Sequence, residues 1–263
     1  KLTLTLEDGT VYQKNVYKTG LSTYVENNGI YAVQHLARAI LPFSGGISTA
    51  GDLVDFSAAV NNGTSLLEYM NDEGEVVLLD DIDMSGVTSW TPIGNGTFTG
   101  QMTGDNVCSY SGSSFKGKFD GQGFSIRNLK LSKDLTAEGA VYGLFGILDG
   151  AVIENVVLGA PENDNSSFEF SADATTDAGI LSGVCYGSVI RNCTNYIPMN
   201  VKGNSVSGKR TTMGAFAGFV YNAETGSVLE NLINYGAVSK CRRCNFCNGR
   251  RYCWCSERLG DFR

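Results

Sequence analysis

The segment Gly179-Ile-Leu-Ser-Gly183, followed by Val189-Ile-Arg-Asn192, contains both halves of a pattern that recurs along this chain. The second half is an aliphatic residue, a variable residue, an asparagine and an apolar residue, and its four copies carry Asn128, Asn155, Asn192 and Asn231. The glycine half precedes three copies, at Gly143–Gly146, Gly179–Gly183 and Gly214–Gly218. Self-similarity at intervals of about 20–50 residues is typical of solenoids, propellers and other repeat arrays. The pattern therefore predicts an architecture, but it does not indicate a chemistry.

The sequence from Glu75 to Val238 predicts short strands throughout. Segments of alternating apolar residues are separated by Gly, Asn and Asp turns, and no helical pattern lies between them. Such segments fit a coil of parallel strands stacked about 4.8 Å apart. At roughly 20–27 residues per turn, this region would form about six to eight turns. We predict an all-β fold, a parallel β-helix (solenoid).

The best helical pattern covers about residues 49–61 and precedes the first of these strands. Thr49 and Asp52 have the spacing of a capping box, with Asp in place of the usual Glu or Gln. Apolar residues at helical spacing form one face: Leu53, Phe56 and Val60. Asn62-Gly63 predicts the end of the helix. The first turn of a solenoid exposes apolar core at its end, so we expect this helix to cap it.

Residues 1–45 differ from the repeat region. Leu2, Leu4 and Leu6 alternate with threonines, and Asp8-Gly9 is a hairpin signal. Two or three strands cannot bury a sandwich core alone. We interpret residues 1–45 as a partial β-sandwich remnant with a linker, and the only histidine, His35, as structural.

Five motifs together carry a family resemblance: Ile47–Leu53, Asp81–Met84, Trp90–Gly94, Phe119–Gly123 and Gly143–Gly146. In combination they resemble bacterial surface proteins with GLUG-type repeats. The resemblance covers residues 46–239 and implies a right-handed parallel β-helix, a cell-surface or secreted location, and an adhesive or binding role. It supplies no catalytic residues. Residues 1–40 resemble, in addition, the end of a fimbrillin-like β-sandwich domain.

The GLUG-type repeat also occurs beside the peptidase domain of some immunoglobulin-A-cleaving metalloproteases. The zinc motif His-Glu-x-x-His needs two histidines, and this chain contains one. The resemblance therefore does not extend to the peptidase chemistry.

The charge of the chain is unevenly distributed. The net charge of −7 divides into +5 for residues 240–263 and −12 for the remainder. An acidic body argues against nucleic acid and anionic membrane surfaces as partners. No apolar segment approaches the length of about 18 residues that a membrane span requires. The chain begins at Lys1 without a leader, so we expect it to be part of a longer chain.

A cysteine-rich segment follows the last repeat, with Cys241, Cys244, Cys247, Cys253 and Cys255. Its spacing alone favours a zinc site or a disulfide knot. However, the repeat stops at Ser239 and the composition changes within one residue. Read one base out of phase, allowed codons for this segment can encode Met-Ala-Gly-Gly-Ile-Ala-Gly, which is another glycine element. We interpret residues 240–263 as an irregular, frameshifted tail, with the metal site and the disulfide knot as the alternatives.

The recurring asparagines have two structural interpretations. Residues at the same place in successive turns can stack into a ladder of side-chain amides. Asparagine also tolerates the left-handed conformation that tight corners need. We predict that Asn128, Asn155, Asn192 and Asn231 form such a ladder on successive or near-successive turns.

The densest carboxylate cluster is Asp80, Asp81 and Asp83. On a strand, Asp81 and Asp83 would share one face, where they could bind Ca²⁺ or act as acid and base on a glycan. Alternatively, they cap a corner by accepting hydrogen bonds from backbone N–H groups, which the resemblance favours.

We predict a non-enzymatic cell-surface module that presents a rigid β-helix face to a host or microbial glycan or protein. Exposed members of its 12 tyrosines and 13 phenylalanines are the candidate contacts. No catalytic residue and no cofactor are predicted. The alternative is a glycan-active β-helix lyase or hydrolase that uses carboxylates near Asp81 and Asp83.

Overall fold

The computed structural model describes residues 2–5, 9, 11–14, 45–100, 108–202, 209–221 and 226–240. These residues form an all-β protein with parallel sheets, as predicted, and one α-helix. Within them, no helix has the length and apolar character that crossing a membrane requires.

An antiparallel hairpin begins the chain, with β1 (Leu2–Thr5) paired to β2 (Val11–Lys14). Its turn contains Gly9, which has a positive φ of 85°. Residues 15–44, including His35, lie outside the described residues. The interpretation of residues 1–45 as a sandwich remnant therefore stays a prediction.

Helix α1 (Ala50–Asn62) lies within one residue of its predicted position. The backbone N–H of Asp52 donates to the Thr49 hydroxyl at 3.1 Å, and the Asp52 carboxylate accepts from the Thr49 N–H at 3.0 Å. This capping box fixes the first turn, and Gly63 in the left-handed conformation ends the helix. Phe56 packs against the rings of Phe115 and Phe119 at centroid distances of 5.8 and 6.0 Å, so the helix covers the start of the strand region.

Two short strands, β3 (Val76–Val77) and β4 (Ile82–Asp83), follow, with 3₁₀ helices at Leu67–Tyr69 and Met84–Gly86. Four structural repeats of five strands come next. Repeat 1 contains β5 (Gly96–Gly100), β6 (Cys108–Gly112), β7 (Lys118–Asp120), β8 (Ser125–Arg127) and β9 (Lys130–Leu135). Repeat 2 contains β10 (Ala140–Tyr142), β11 (Phe145–Asp149), β12 (Val152–Glu154), β13 (Val157–Leu158) and β14 (Ser167–Ala172). Repeat 3 contains β15 (Thr176–Gly179), β16 (Ser182–Tyr186), β17 (Val189–Arg191), β18 (Thr194–Asn195) and β19 (Met199–Lys202). Repeat 4 contains β20 (Thr211–Gly214), β21 (Ala217–Tyr221), β22 (Val228–Glu230), β23 (Ile233–Asn234) and β24 (Val238–Lys240).

Equivalent strands of successive repeats pair side by side and form five sheets. In strand order, sheet A is β20-β15-β10-β5-β6, sheet B is β11-β16-β21, sheet C is β22-β17-β12-β7-β3, sheet D is β23-β18-β13-β8-β4 and sheet E is β24-β19-β14-β9. Pairing between repeats is parallel except where β5 meets β10, and β5 and β6 form an antiparallel hairpin. The chain thus visits the five sheets in the same order in repeats 2, 3 and 4.

The repeats are longer than the sequence pattern predicted. Ile153 pairs with Phe119 and with Ile190, which lie 34 and 37 residues away, and Leu229 lies 39 residues beyond Ile190. The prediction of roughly 20–27 residues per turn is therefore wrong, and the region forms four repeats. The reason is that each repeat contains five strands, of which the recurring motif marks only some.

Columns of apolar residues build the core between the sheets. Phe119, Ile153 and Ile190 are fully buried in one column, whereas Leu229, which continues it in repeat 4, is 40% exposed. Leu148 and Cys185 are buried in another column, which ends at Val220 with 42% exposure. No described strand pairs with the outer edges of β20 to β24. Within the described residues, repeat 4 is thus the uncovered end of the stack.

Candidate binding face

The four predicted asparagines share one backbone conformation. Asn128, Asn155, Asn192 and Asn231 have φ values between 51° and 56°, in the left-handed region. Three of them, Asn155, Asn192 and Asn231, directly follow sheet C strands that pair in register. The Asn231 Nδ2 donates to Asn192 Oδ1 at 3.1 Å, and the Asn155 Nδ2 donates to Asp120 Oδ1 at 2.9 Å. These three asparagines therefore occupy one corner of the fold.

Asn128 lies at a different corner, because it follows β8 in sheet D. Its Nδ2 donates to Asp83 Oδ1 at 2.8 Å, and its Oδ1 accepts from the Asn165 N–H at 3.0 Å. The four asparagines therefore do not share one column. A second amide contact, which the sequence pattern did not reveal, joins Asn195 Nδ2 to Asn234 Oδ1 at 2.7 Å.

We expect Asn192→Ala to lower the free energy of unfolding by about 1 kcal/mol, because alanine at a φ near 55° is strained. Asn192→Gly should cost less, since glycine has no Cβ to clash in this conformation. Urea denaturation of both variants measures the difference. Equal losses for alanine and glycine would mean that the side-chain contact with Asn231, not the backbone, explains the asparagine.

The carboxylates near Asp81 and Asp83 are engaged in contacts between strands. Asp81 accepts from the Ser125 N–H at 2.8 Å and from Arg127 at 2.9 Å. The hydrogen bond from Ser125 lowers the pKa of Asp81, and the bond from Asn128 lowers that of Asp83. A general acid for glycan cleavage needs a raised pKa. These carboxylates thus hold corners of the fold and are ionised near neutral pH.

The cysteines of the described residues are Cys108, Cys185 and Cys193, and none of them is in a disulfide. Burial raises the pKa of the Cys185 and Cys193 thiols to about 11, so both are protonated fillers of the core. In the described part of the chain, no group of three His, Cys, Asp or Glu could hold a metal. Cys241, Cys244, Cys247, Cys253 and Cys255 lie outside it, so the tail interpretation and its metal alternative stay predictions.

Three tyrosines form a continuous stripe on the sheet B side of the repeats, which we call the tyrosine stripe: Tyr110, Tyr186 and Tyr221. Tyr186 and Tyr221 pair in register on β16 and β21, and their rings stack at 4.9 Å with an interplanar angle of 29°. Tyr110 meets Tyr186 edge to face at 6.1 Å. All three are half-buried, so each ring is held by packing and also reaches solvent.

Charged groups flank the tyrosine stripe at repeat 2. The Tyr110 hydroxyl donates to Asp149 Oδ2 at 2.5 Å, and Lys116 Nζ lies 2.9 Å from the same oxygen. Burial alone would raise the pKa of Asp149, but the bonds from Tyr110 and Lys116 outweigh it and lower the pKa. Asp149 therefore stays ionised and fixes the Tyr110 ring, while Lys116 extends into solvent. The arrangement offers aromatic surface and hydrogen-bonding groups along one rigid edge.

Comparison with known proteins gives little further guidance. No family model and no curated protein matches this chain. One solved structure that is similar is a crystal structure at 1.30 Å of a candidate immunoglobulin A1 protease from Bacteroides ovatus. It is 16% identical, the match covers 74% of this chain and 66% of that one, and the TM-score is 0.27. A TM-score this low does not establish a common fold and carries no argument about activity.

The repeat pattern in the sequence indicates part of the tyrosine stripe. Tyr186 and Tyr221 each lie three residues after the second glycine of the glycine element, and Asp149 lies at the same place after Gly146. A comparison of the repeats position by position would have aligned these three residues. Nothing in the local sequence places Tyr110 beside them, because the β5–β6 hairpin brings it there.

Proposed function

We propose that this chain is a non-enzymatic binding module of a bacterial cell-surface or secreted protein, and that the tyrosine stripe contacts a glycan or protein partner. The proposal includes the finer fold, a right-handed parallel β-helix, which the recurring order of sheets supports. The observation that carries the function is the in-register stacking of Tyr186 and Tyr221 beside Asp149 and Lys116. Ordered aromatic rings with polar groups at their edge suit sugar rings and protein side chains alike.

The position of the tyrosine stripe supports binding in a second way. Its three tyrosines come from repeats 1, 3 and 4, so the ligand contacts are spread along the stack rather than gathered in one loop. Backbone pairing fixes the spacing of these rings, and a partner would meet a surface that needs little ordering on binding. This favours an extended ligand over a small one.

The second candidate function is a glycan-active enzyme. Asp81 and Asp83 support it poorly, because both carboxylates accept hydrogen bonds within the protein and have lowered pKa values. The binding proposal accounts for these residues as corner contacts and needs no proton donor. Turnover of a polysaccharide by the purified chain, abolished by Asp83→Asn, would favour the enzyme instead.

A glycan array and a panel of host extracellular proteins, probed with the full chain, test the binding function. For any ligand found, we expect Tyr186→Ala to weaken binding at least about tenfold, which corresponds to about 1.4 kcal/mol. Tyr235→Ala is the matched control, because Tyr235 is 64% exposed and stacks on Tyr196, away from the tyrosine stripe. Equal losses in the two variants would contradict the assignment of the binding face.

A further inference from the structure

A groove of about 410 Å³, lined by polar and apolar groups, lies between the β5–β6 hairpin and residues 133–141, which end β9 and lead into β10. Thr97 and Ser111 face it from the hairpin, and their hydroxyls lie 2.8 Å apart. These residues alternate along the strands with Phe98 and Tyr110, so they lie on the opposite face of the hairpin. The groove is therefore a site separate from the tyrosine stripe.

Lys133 breaks the pattern of its strand at this groove. Leu131 and Leu135, two residues to either side, are buried, and its in-register neighbour Phe170 is buried as well. Alternation would place an apolar residue at position 133. The lysine there extends over the Tyr142 ring, with Nζ 5.7 Å from its centre, and lines the groove. A charged residue that interrupts a row of buried apolar residues marks a candidate functional position.

Lys133 has no ion-pair partner within the described residues, and its ammonium group lies over the face of the Tyr142 ring. Asp134, the neighbouring acidic residue, also lines the groove, and its carboxylate accepts a hydrogen bond from the Ser171 hydroxyl. The groove thus contains one ammonium group, one carboxylate that already accepts a hydrogen bond, and several hydroxyls, in a chain whose net charge is −7.

We propose that this groove binds a carboxylate-bearing sugar residue of an acidic glycan. The sugar carboxylate would pair with Lys133, and the sugar hydroxyls would bond to Thr97 and Ser111. The volume lies at the low end of the range of ligand sites, about 300–1,000 Å³, and leaves room for about one or two sugar rings. Thr97 and Ser111 share one hydrogen bond between them, so one O–H and several lone pairs remain for a ligand that both donates and accepts.

The acidic character of the chain sets a condition that an anionic ligand must meet. A negative protein repels anions in general, so an acidic ligand is held only where a local cation and matched hydrogen bonds outweigh that field. A neutral sugar would leave the Lys133 ammonium group without an ion-pair partner. A bare carboxylate would leave the hydroxyls of Thr97 and Ser111 unused.

The test is an NMR titration of the isotope-labelled full chain with glucuronic acid and with N-acetylneuraminic acid. Glucose and acetate serve as the neutral and the sugar-free probes. We expect saturable shifts around Thr97, Ser111 and Lys133 with at least one acidic sugar, and at least tenfold weaker binding of glucose and acetate. Lys133→Met should weaken binding at least tenfold, since it keeps the length of the side chain and removes the charge.

Lys130→Met is the matched control, because Lys130 lies on the same exposed strand and does not line the groove. It should change binding less than twofold. Methionine is apolar and should pack beside Phe170, so we expect Lys133→Met to fold. If it does not fold, Thr97→Val tests the proposal independently, because it should also weaken binding of the acidic sugar. Three results would overturn the proposal. The first is that neither acidic sugar saturates the chain at about 10 mM, and the second is that acetate binds as tightly as the sugars. The third is an equal loss of binding affinity in Lys133→Met and Lys130→Met.

Discussion

Replacing Gly179 by alanine should lower the free energy of unfolding by about 3 kcal/mol, at the upper end of the usual cost of overpacking. A Cβ at this position would lie 2.2 Å from the Ser182 carbonyl oxygen and 2.7 Å from the Gly218 nitrogen. Both are backbone atoms of paired strands, so they cannot move aside as a flexible side chain can. Urea denaturation measures the loss.

Gly86→Ala is the control, because no heavy atom lies within 4 Å of a Cβ there. It should change the free energy of unfolding by less than about 0.5 kcal/mol. Similar midpoints for the two variants would mean that the repeats are looser than their close backbone contacts indicate.

Similarly close approaches to backbone carbonyl oxygens explain why the glycine element recurs. At Gly143 a Cβ would lie 2.2 Å from the Gly179 carbonyl oxygen, and at Gly214 it would lie 2.1 Å from that of Ala217. The chain passes from sheet A to sheet B at this place in repeats 2, 3 and 4, and the backbone there approaches too closely for any side chain. The glycines are therefore a packing requirement.

The second large effect is expected for Asp177→Ala, which should lower the free energy of unfolding by about 3 kcal/mol. Asp177 is fully buried between sheets A and B, and its carboxylate accepts from Arg210 Nη2 at 3.0 and 3.1 Å and from the Thr212 hydroxyl. Burial raises the pKa of Asp177, and the bonds from Arg210 and Thr212 oppose this rise. Without Asp177, the guanidinium of Arg210 would remain near the apolar cluster with no partner. The Arg210 side chain is 22% exposed, so we take the low end of the range for a broken buried pair.

The double variant Asp177→Ala/Arg210→Met separates the pair from simple packing. It should recover most of the loss, because no uncompensated charge remains beside Phe98, Val141 and Phe219. Thermal or urea unfolding of the wild type, the single variants and the double variant gives the coupling energy. A double variant as unstable as the sum of the single variants would mean that the ion pair is not the cause.

The all-β class, the parallel pairing and the helix at Ala50–Asn62 could be predicted because each depends on local pattern. The capping box, the left-handed asparagines and the glycine elements are short-range features. Arg191 likewise pairs with Glu154, its in-register neighbour in the preceding repeat. These contacts need only the register that the repeats impose.

The length of the repeats and the place of Asn128 could not be predicted from the same pattern. Corners after sheet C and after sheet D both demand a left-handed residue, so both select asparagine in the same local sequence. The motif therefore marks two kinds of corner without distinguishing them. The interval of 27 residues from Asn128 to Asn155 joins unlike corners, whereas 37 and 39 join like ones. The tyrosine stripe and the groove could not be predicted either, because the β5–β6 hairpin brings Thr97, Tyr110 and Ser111 to surfaces that belong to later repeats.

The two ends of the described stack of repeats differ in how well they are covered, so the repeats should differ in local stability. Helix α1 covers the beginning with Phe56, whereas no described residue covers Leu229 and Val220, which end two core columns at repeat 4. In a linear array each repeat is stabilised by its neighbours, so a repeat with one neighbour opens more readily than a repeat with two. Loss of repeat 4 would expose the same kind of edge on repeat 3. If no further segment covers repeat 4, we expect unfolding to begin there and to proceed toward helix α1, so that the backbone amides nearest the helix exchange with solvent last.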